Sequence, residues 1–263
     1  MSAAEPLTTQ RSAQPLTSLT VVVPLYDEED GVKALGERLA AFVACERDRR
    51  PVDVVLVDDG STDGTPERLA VVAAELPARV VRHERNRGLT EALLSGLEAG
   101  CGAYVGWLDS DLTYDPEILG ELAARLDAGA DVALASCYHP AGAVRGVPAW
   151  RLALSGAASR AYRLVTRAPV HTFTSMVRVQ RREVIERCRP RRGGFVGVTE
   201  ELLRALRAGY RVVEHPAVLQ RRRVGQSKMR VLRVALAHVG LMAAFVASRL
   251  TGSGGVEPRP ARS

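Results

Sequence analysis

Short apolar runs rich in β-branched residues recur at positions 19–25, 52–57, 79–82, 104–108 and 131–137, and longer stretches with helical spacing separate them. An uninterrupted apolar run reads as a strand buried on both faces, because a sheet wet on one side alternates apolar and polar residues. Between the runs, Val32, Leu35, Leu39 and Phe42 mark one helical stripe and Leu69, Val72 and Leu76 a second. Ile118, Leu119, Leu122 and Leu126 mark another, and Pro66 suits the first turn of the second helix. This alternation predicts an α/β fold, a mostly parallel sheet flanked by helices, with ligands beyond the carboxyl ends of the strands.

Past Pro140 the rhythm changes. The pattern predicts a helix over 149–165, an extended segment over 172–180, a short helix over 183–188, a helix over 199–208 and a strand over 210–214. Residues 231–247 are nearly continuously apolar, broken by Arg233 and His238, and are short for a bilayer span. They read equally as a buried core helix or as a helix lying in a membrane surface. Residues 1–18 and the tail 251–263 are expected to be disordered. That leaves one domain over 19–230, followed by a basic and apolar helical segment over 231–250.

Composition sharpens this picture in two places. Cys45, Cys101, Cys137 and Cys188 include no Cys-x-x-Cys pair, which argues against a disulfide framework or zinc cluster and for a reducing cytosol. The net charge of +6 is unevenly placed. No Asp or Glu falls between Pro216 and Val256, where Arg221, Arg222, Arg223, Lys228, Arg230, Arg233 and Arg249 lie. That segment should meet anions. With only 5% aromatic residues the chain offers little for nucleic-acid bases to stack on, so phosphate or anionic lipid fits better than nucleic acid.

The candidate chemistry lies at the strand ends. Asp109-Ser110-Asp111 follows the run 104–108. Two carboxylates at such a turn can grip Mg²⁺ or Mn²⁺ together with a diphosphate, although the same tripeptide also serves as an ordinary solvated turn. The first strand ends in Pro24, Tyr26, Asp27, Glu28 and Glu29, and the second runs into Asp58-Asp59-Gly60-Ser61-Thr62-Asp63-Gly64-Thr65. Neighbouring ends of a parallel sheet let Tyr26, Glu28 and Asp59 meet a nucleobase and ribose; alternatively, 58–65 only caps the next helix.

In order, VVVPLYDEE, VLVDDGSTDGT, RNRGLTEALLSGLEAG and DSDLTYDP resemble the family 2 glycosyltransferases, which have the GT-A, Rossmann-like nucleotide-sugar fold. The resemblance implies an inverting transfer from a nucleoside-diphosphate sugar. It makes Asp109 and Asp111 the metal and diphosphate motif, and Pro24, Tyr26, Glu28 and Asp59 nucleotide contacts. Farther on, the segment from Thr174 to Arg178, Glu200-Glu201 and the segment from Arg222 to Lys228 look like the dolichol- and polyprenyl-phosphate sugar synthases. In that group the segments carrying Ser175, Arg178, Arg222 and Lys228 surround the acceptor phosphate and the donor diphosphate. The resemblance covers 19–230, with Asp27 where Asn is usual.

A phosphomonoester has its second pKa at about 6, so at neutral pH it needs cations and no general base. An acceptor hydroxyl would need a base, for which Glu200 or Glu201 is placed as in hydroxyl-transferring relatives. The expectation is therefore a hexosyltransferase using Mg²⁺ or Mn²⁺, with polyprenyl phosphate as acceptor. It would associate peripherally with the cytoplasmic face of a membrane, with room for a separate membrane subunit. The alternatives are a family 2 enzyme acting on a hydroxyl and a non-catalytic nucleotide-sugar or anionic-membrane binding protein.

Overall fold

The computed structural model describes residues 17–222, 231–251 and 259. Strands and helices alternate first as β1 (Leu19–Leu25), α1 (Glu29–Glu46), β2 (Val52–Asp58), α2 (Thr65–Glu75), β3 (Ala78–Arg82) and α3 (Leu89–Ala99). Then come β4 (Tyr104–Trp107), α4 (Ile118–Asp127), β5 (Val132–Ser136), β6 (Ala143–Arg145), α5 (Ala149–Thr166) and β7 (Arg178–Arg181). The chain continues as α6 (Arg182–Arg187), α7 (Gly194–Arg207), β8 (Val212–Pro216), β9 (Val218–Gln220) and α8 (Val231–Leu250).

Seven strands form one sheet in the order β3-β2-β1-β4-β7-β5-β8. Only β7 runs antiparallel to its neighbours β4 and β5, so the sheet is mostly parallel as predicted. Both faces are covered. Leu19, Val21 and Val23 of β1 pack with the apolar stripes of α1, α2 and α4, while Val22 packs with Ala92, Leu93 and Leu97 of α3 and Val198 of α7. The approach of α3 is close enough that a Cβ on Gly96 would stand 2.2 Å from Val22 Cγ1. A third cluster joins β5 to α5, α7 and α8 through Leu134, Tyr162, Leu202 and Leu241.

Four expectations change. Only 178–181 of the predicted extended segment pairs as a strand, because the backbone of 172–175 is bonded by side chains instead of a neighbouring strand. Helix α7 begins at Gly194, earlier than the predicted 199; Gly194 takes φ +67 and starts the helix rather than interrupting it. The β6 and β9 pair, three residues in each strand, is too short to leave a periodic signal. In the tail expected to be disordered, Arg259 is docked, its amide donating to the Ala208 carbonyl at 2.9 Å and Nη1 reaching Asp131 at 3.2 Å.

Residues 231–247 form a helix with one side packed on the domain and the other open. In α8, His238 and Leu241 are buried, whereas Leu236 and Val239 are each 64% exposed. Among the described residues, no helix is long and apolar enough to cross a membrane. Residues 1–16 of the expected lead lie outside the described residues, while Ser18 accepts from the Tyr104 amide at 2.9 Å.

Candidate active site

The strand order reverses at β1, which pairs with β2 on one side and β4 on the other. Connections leave a doubly wound sheet in opposite directions at such a point, opening a crevice beyond the carboxyl ends. Here the loops after β1 and β2 are stitched together by side chains. The Asp27 amide donates to Ser61 Oγ at 2.9 Å, the Thr62 amide to Asp27 Oδ1 at 2.7 Å, the Glu28 amide to Thr65 Oγ1 at 2.8 Å and the Gly64 amide to Glu29 Oε2 at 2.9 Å. Asp27 adopts φ +48, a left-handed conformation that Asn and Asp both tolerate, which accounts for Asp at a position where Asn is usual.

This stitching engages several of the motif acids with backbone amides and leaves others facing a cation. Asp58 is buried and accepts from the Ser61 amide, and Asp59 accepts from the amides of Arg87 and Gly88 at 2.8 Å each. Asp27, Glu29 and Asp63 are likewise engaged with backbone amides. The remaining acids form a group around Arg222. Its Nε lies 2.8 Å from Asp111 Oδ2 and its Nη1 3.1 Å from Glu28 Oε1. Burial, reinforced by Asp111, pushes the Asp109 carboxyl up to about 8, with Arg222 opposing. Pro24 lies near the end of β1 opposite Val57, with Tyr26 half-buried just beyond it.

Crowded carboxylates suit a hard divalent cation. Among the described residues no three His, Cys, Asp or Glu side chains form a complete cage. The chemistry of Asp109 and Asp111, two hard oxygen donors close together, fits the kind of Mg²⁺ or Mn²⁺ site that takes one or two carboxylates and completes its shell with substrate phosphate. Lys228 lies outside the described residues.

From Asp109 a cavity of about 480 Å³ runs past Tyr114 and Ser175 to Leu154 on α5 and Val239 and Met242 on α8. Its wall includes the segment 172–175, held by four side chains from four elements. The Thr172 amide donates to Glu214 of β8 at 2.7 Å, the Phe173 amide to Ser159 of α5 at 3.2 Å, Thr199 of α7 to the Phe173 carbonyl at 3.1 Å, and Arg178 of β7 to the Ser175 carbonyl at 2.6 Å.

One expected site residue is placed differently from what the motif implied. Ser175 lines the cavity, but Arg178 is fully buried beneath it, bonded to the carbonyls of Ser175 and Val198, with Trp107 under its guanidinium. It acts on the wall from behind. Burial pulls Arg178 down to about 10 and pushes its neighbour Glu201 up to about 7, each opposed by the other's charge. Glu201 is fully buried, and Glu200 accepts from the amides of Arg191 and Arg192 at 2.8 and 2.7 Å; neither lines the cavity. A cation that sequence reasoning missed is Arg151, which lines the cavity from the first turn of α5. The available signal was a helix rich in arginine and free of acids.

Comparison with known proteins gives the family and the fold. The family model for glycosyl transferase family 2 matches residues 20–189. Polyprenol monophosphomannose synthase of Mycolicibacterium smegmatis is 33% identical over 83% of this chain and 83% of its own length. Dolichol-phosphate mannosyltransferase of Pyrococcus furiosus is 27% identical over 81% of this chain and 59% of that longer protein. Among solved structures, glucosyl-3-phosphoglycerate synthase from Mycobacterium tuberculosis, in complex with Mn²⁺, UDP and glucosyl-3-phosphoglycerate, aligns with a TM-score of 0.61 at 22% identity, over 91% of this chain and 81% of that one. This likeness shows a shared GT-A fold. The chain belongs to glycosyl transferase family 2 and resembles its polyprenyl-phosphate sugar synthases.

Proposed function

We propose that the protein transfers a hexosyl unit from a nucleoside-diphosphate sugar to polyprenyl phosphate, inverting the anomeric centre. The observation that carries this reading is the cavity, which joins the charged group at Asp109 to an apolar passage between α5 and α8. An acceptor with an ionic head and a hydrocarbon tail matches that change in polarity. The placement of Glu200 and Glu201 away from the cavity weighs against a hydroxyl acceptor, which would need one of them as a base. A phosphate dianion needs none.

In this reading Pro24, Tyr26, Glu28 and Asp59 border the donor nucleotide, and Asp109 and Asp111 hold Mg²⁺ or Mn²⁺. A divalent ion bound there offsets the charge that grows on the departing diphosphate. Arg222, Lys228 and Arg151 supply cations to the two phosphates, and Ser175 borders the acceptor oxygen that attacks opposite the leaving group. Arg178 keeps the Ser175 segment in place.

The same helices suit the surface of a membrane. Neither α5 nor α8 contains an Asp or Glu, and they expose Trp150, Leu154, Leu164, Leu236 and Val239 beside Arg160, Arg163 and Arg233. Peripheral association at the cytoplasmic face, with or without a membrane subunit, would let the lipid enter between them. The test is a panel of GDP- and UDP-sugars offered with short polyprenyl phosphates and with hydroxyl acceptors, read by mass spectrometry. Transfer to the lipid phosphate that disappears in Asp111→Ala, with the variant still folded, is the expected result. Transfer only to hydroxyls would overturn the acceptor assignment, and no turnover with any donor would favour a binding protein.

A further inference from the structure

Behind Asp59 lies a buried chain of polar groups centred on His83, a residue outside all of the motifs. His83 is 6% exposed at the end of β3; its Nδ1 is 2.7 Å from Asp59 Oδ1, and its Nε2 is 2.9 Å from Ser95 Oγ on α3. In the neutral ring a carboxylate partner fixes the proton on Nδ1, which leaves Nε2 to accept the Ser95 hydroxyl. The Arg87 amide shares Oδ1 with His83, while the Gly88 amide takes Oδ2. A carboxylate has about four acceptor positions, so these three bonds leave one, on Oδ2, for a ligand.

The loop 85–88 cannot easily find another course. Gly60 follows Asp59 at φ +72, and a Cβ there would stand 2.3 Å from the Arg85 carbonyl carbon. The loop is thus pressed against the strand end that carries Asp59, while Arg85, Asn86 and Arg87 stay exposed at the rim of the crevice. An Asp59 side chain free to rotate would release both amides together, and His83 is a side chain bonded to that carboxylate.

We propose that His83 is a positioning residue for the donor nucleotide, acting through Asp59 on the loop 85–88. This rests on the nucleotide-sugar reading above. Ser95 orients the ring, the ring fixes the carboxylate, and the carboxylate fixes the Arg87 and Gly88 amides and presents its remaining acceptor position to the nucleotide.

The test compares His83→Ala, His83→Asn and His83→Gln in the 263-residue chain. Binding of UDP and of GDP in Mn²⁺ is followed by calorimetry, transfer kinetics by KM and kcat, and the Arg87 and Gly88 amides by hydrogen exchange. His83→Ala should weaken nucleotide binding about tenfold and raise the donor KM without a matching fall in kcat. The Asn amide stands where Nδ1 stood and should restore affinity to within about threefold, whereas Gln, whose amide stands where Nε2 stood, should not. Exchange at Arg87 and Gly88 should quicken in the Ala and Gln variants alone. Undiminished affinity in His83→Ala, or equal losses in the Asn and Gln variants, would overturn the proposal. If the wild-type chain binds neither nucleotide, the nucleotide-sugar reading fails, and the exchange data still decide whether His83 holds the loop. Should the Ala variant not fold, the Asn and Gln comparison decides.

Discussion

Arg222 donates through Nε to Asp111 Oδ2 at 2.8 Å, which places a protein cation on the acidic motif. The guanidinium also reaches Glu28, so a divalent ion entering this group competes with a bridging contact. Arg222→Gln should therefore bind Mn²⁺ in the absence of donor about three- to tenfold more tightly, as measured by electron paramagnetic resonance of the free ion. Its transfer rate should nevertheless fall, because the phosphates lose a partner. Unchanged or weaker metal binding would show that the guanidinium and the ion do not share the site.

Arg178 is fully buried and bonded to two carbonyls, so its loss should register as loss of structure. Removing one member of a buried charged pair costs about 3–5 kcal/mol, and Arg178→Ala should lower the urea midpoint accordingly. Arg178→Lys keeps the charge but cannot span both carbonyls. It should lose about 1–3 kcal/mol and raise the acceptor KM while leaving donor affinity unchanged. Equal weakening of donor and acceptor would place Arg178 outside the acceptor wall.

Glu201 sets a pH dependence of stability. Burial raises its carboxyl to about 7 in the folded protein, from an ordinary value of 4.5. Between these values the folded chain holds a proton that the unfolded chain has released, so stability should fall as pH rises from about 4.5 to about 7. Glu201→Gln cannot titrate and should lack this contribution. Urea midpoints at pH 5 and pH 8 test it; an identical pH response in wild type and variant would remove Glu201 as the source.

The exposed faces of α5 and α8 predict binding to anionic vesicles. Leu164 is 79% exposed and Leu236 64%, so a Glu at either position should weaken co-sedimentation with phosphatidylserine vesicles. Arg160→Ala and Arg163→Ala should each cost about 1 kcal/mol at low salt and less as salt rises. Leaving these variants' transfer to a short, water-soluble polyprenyl phosphate unchanged would separate membrane docking from chemistry.

The sheet was legible because β1, β2, β4 and β5 are buried on both faces and carry uninterrupted apolar runs. The extended segment over 172–180 pairs as a strand only at 178–181, for a related reason. Its residues suit an extended backbone, and periodicity carries no record of whether the hydrogen bonds go to a neighbouring strand or to side chains such as Glu214 and Ser159. In the site, the motifs located the acids but could not sort them. Asp59 and Asp111 look alike in sequence, yet one carboxylate is largely taken up by amides and a histidine while the other faces Arg222. Arg151 escaped notice because a lone arginine in a helix carries no mark of the cavity beside it.

The four clamps on 172–175 come from α5, α7, β7 and β8, elements that meet in the second half of the fold. On the proposed acceptor reading, this wall acts as a gauge of how well that half is packed. A core substitution in any of the four, even far from the cavity, should first show as a dulled choice among acceptors and only later as unfolding. Evolution of acceptor preference can then proceed through interior residues that no ligand touches.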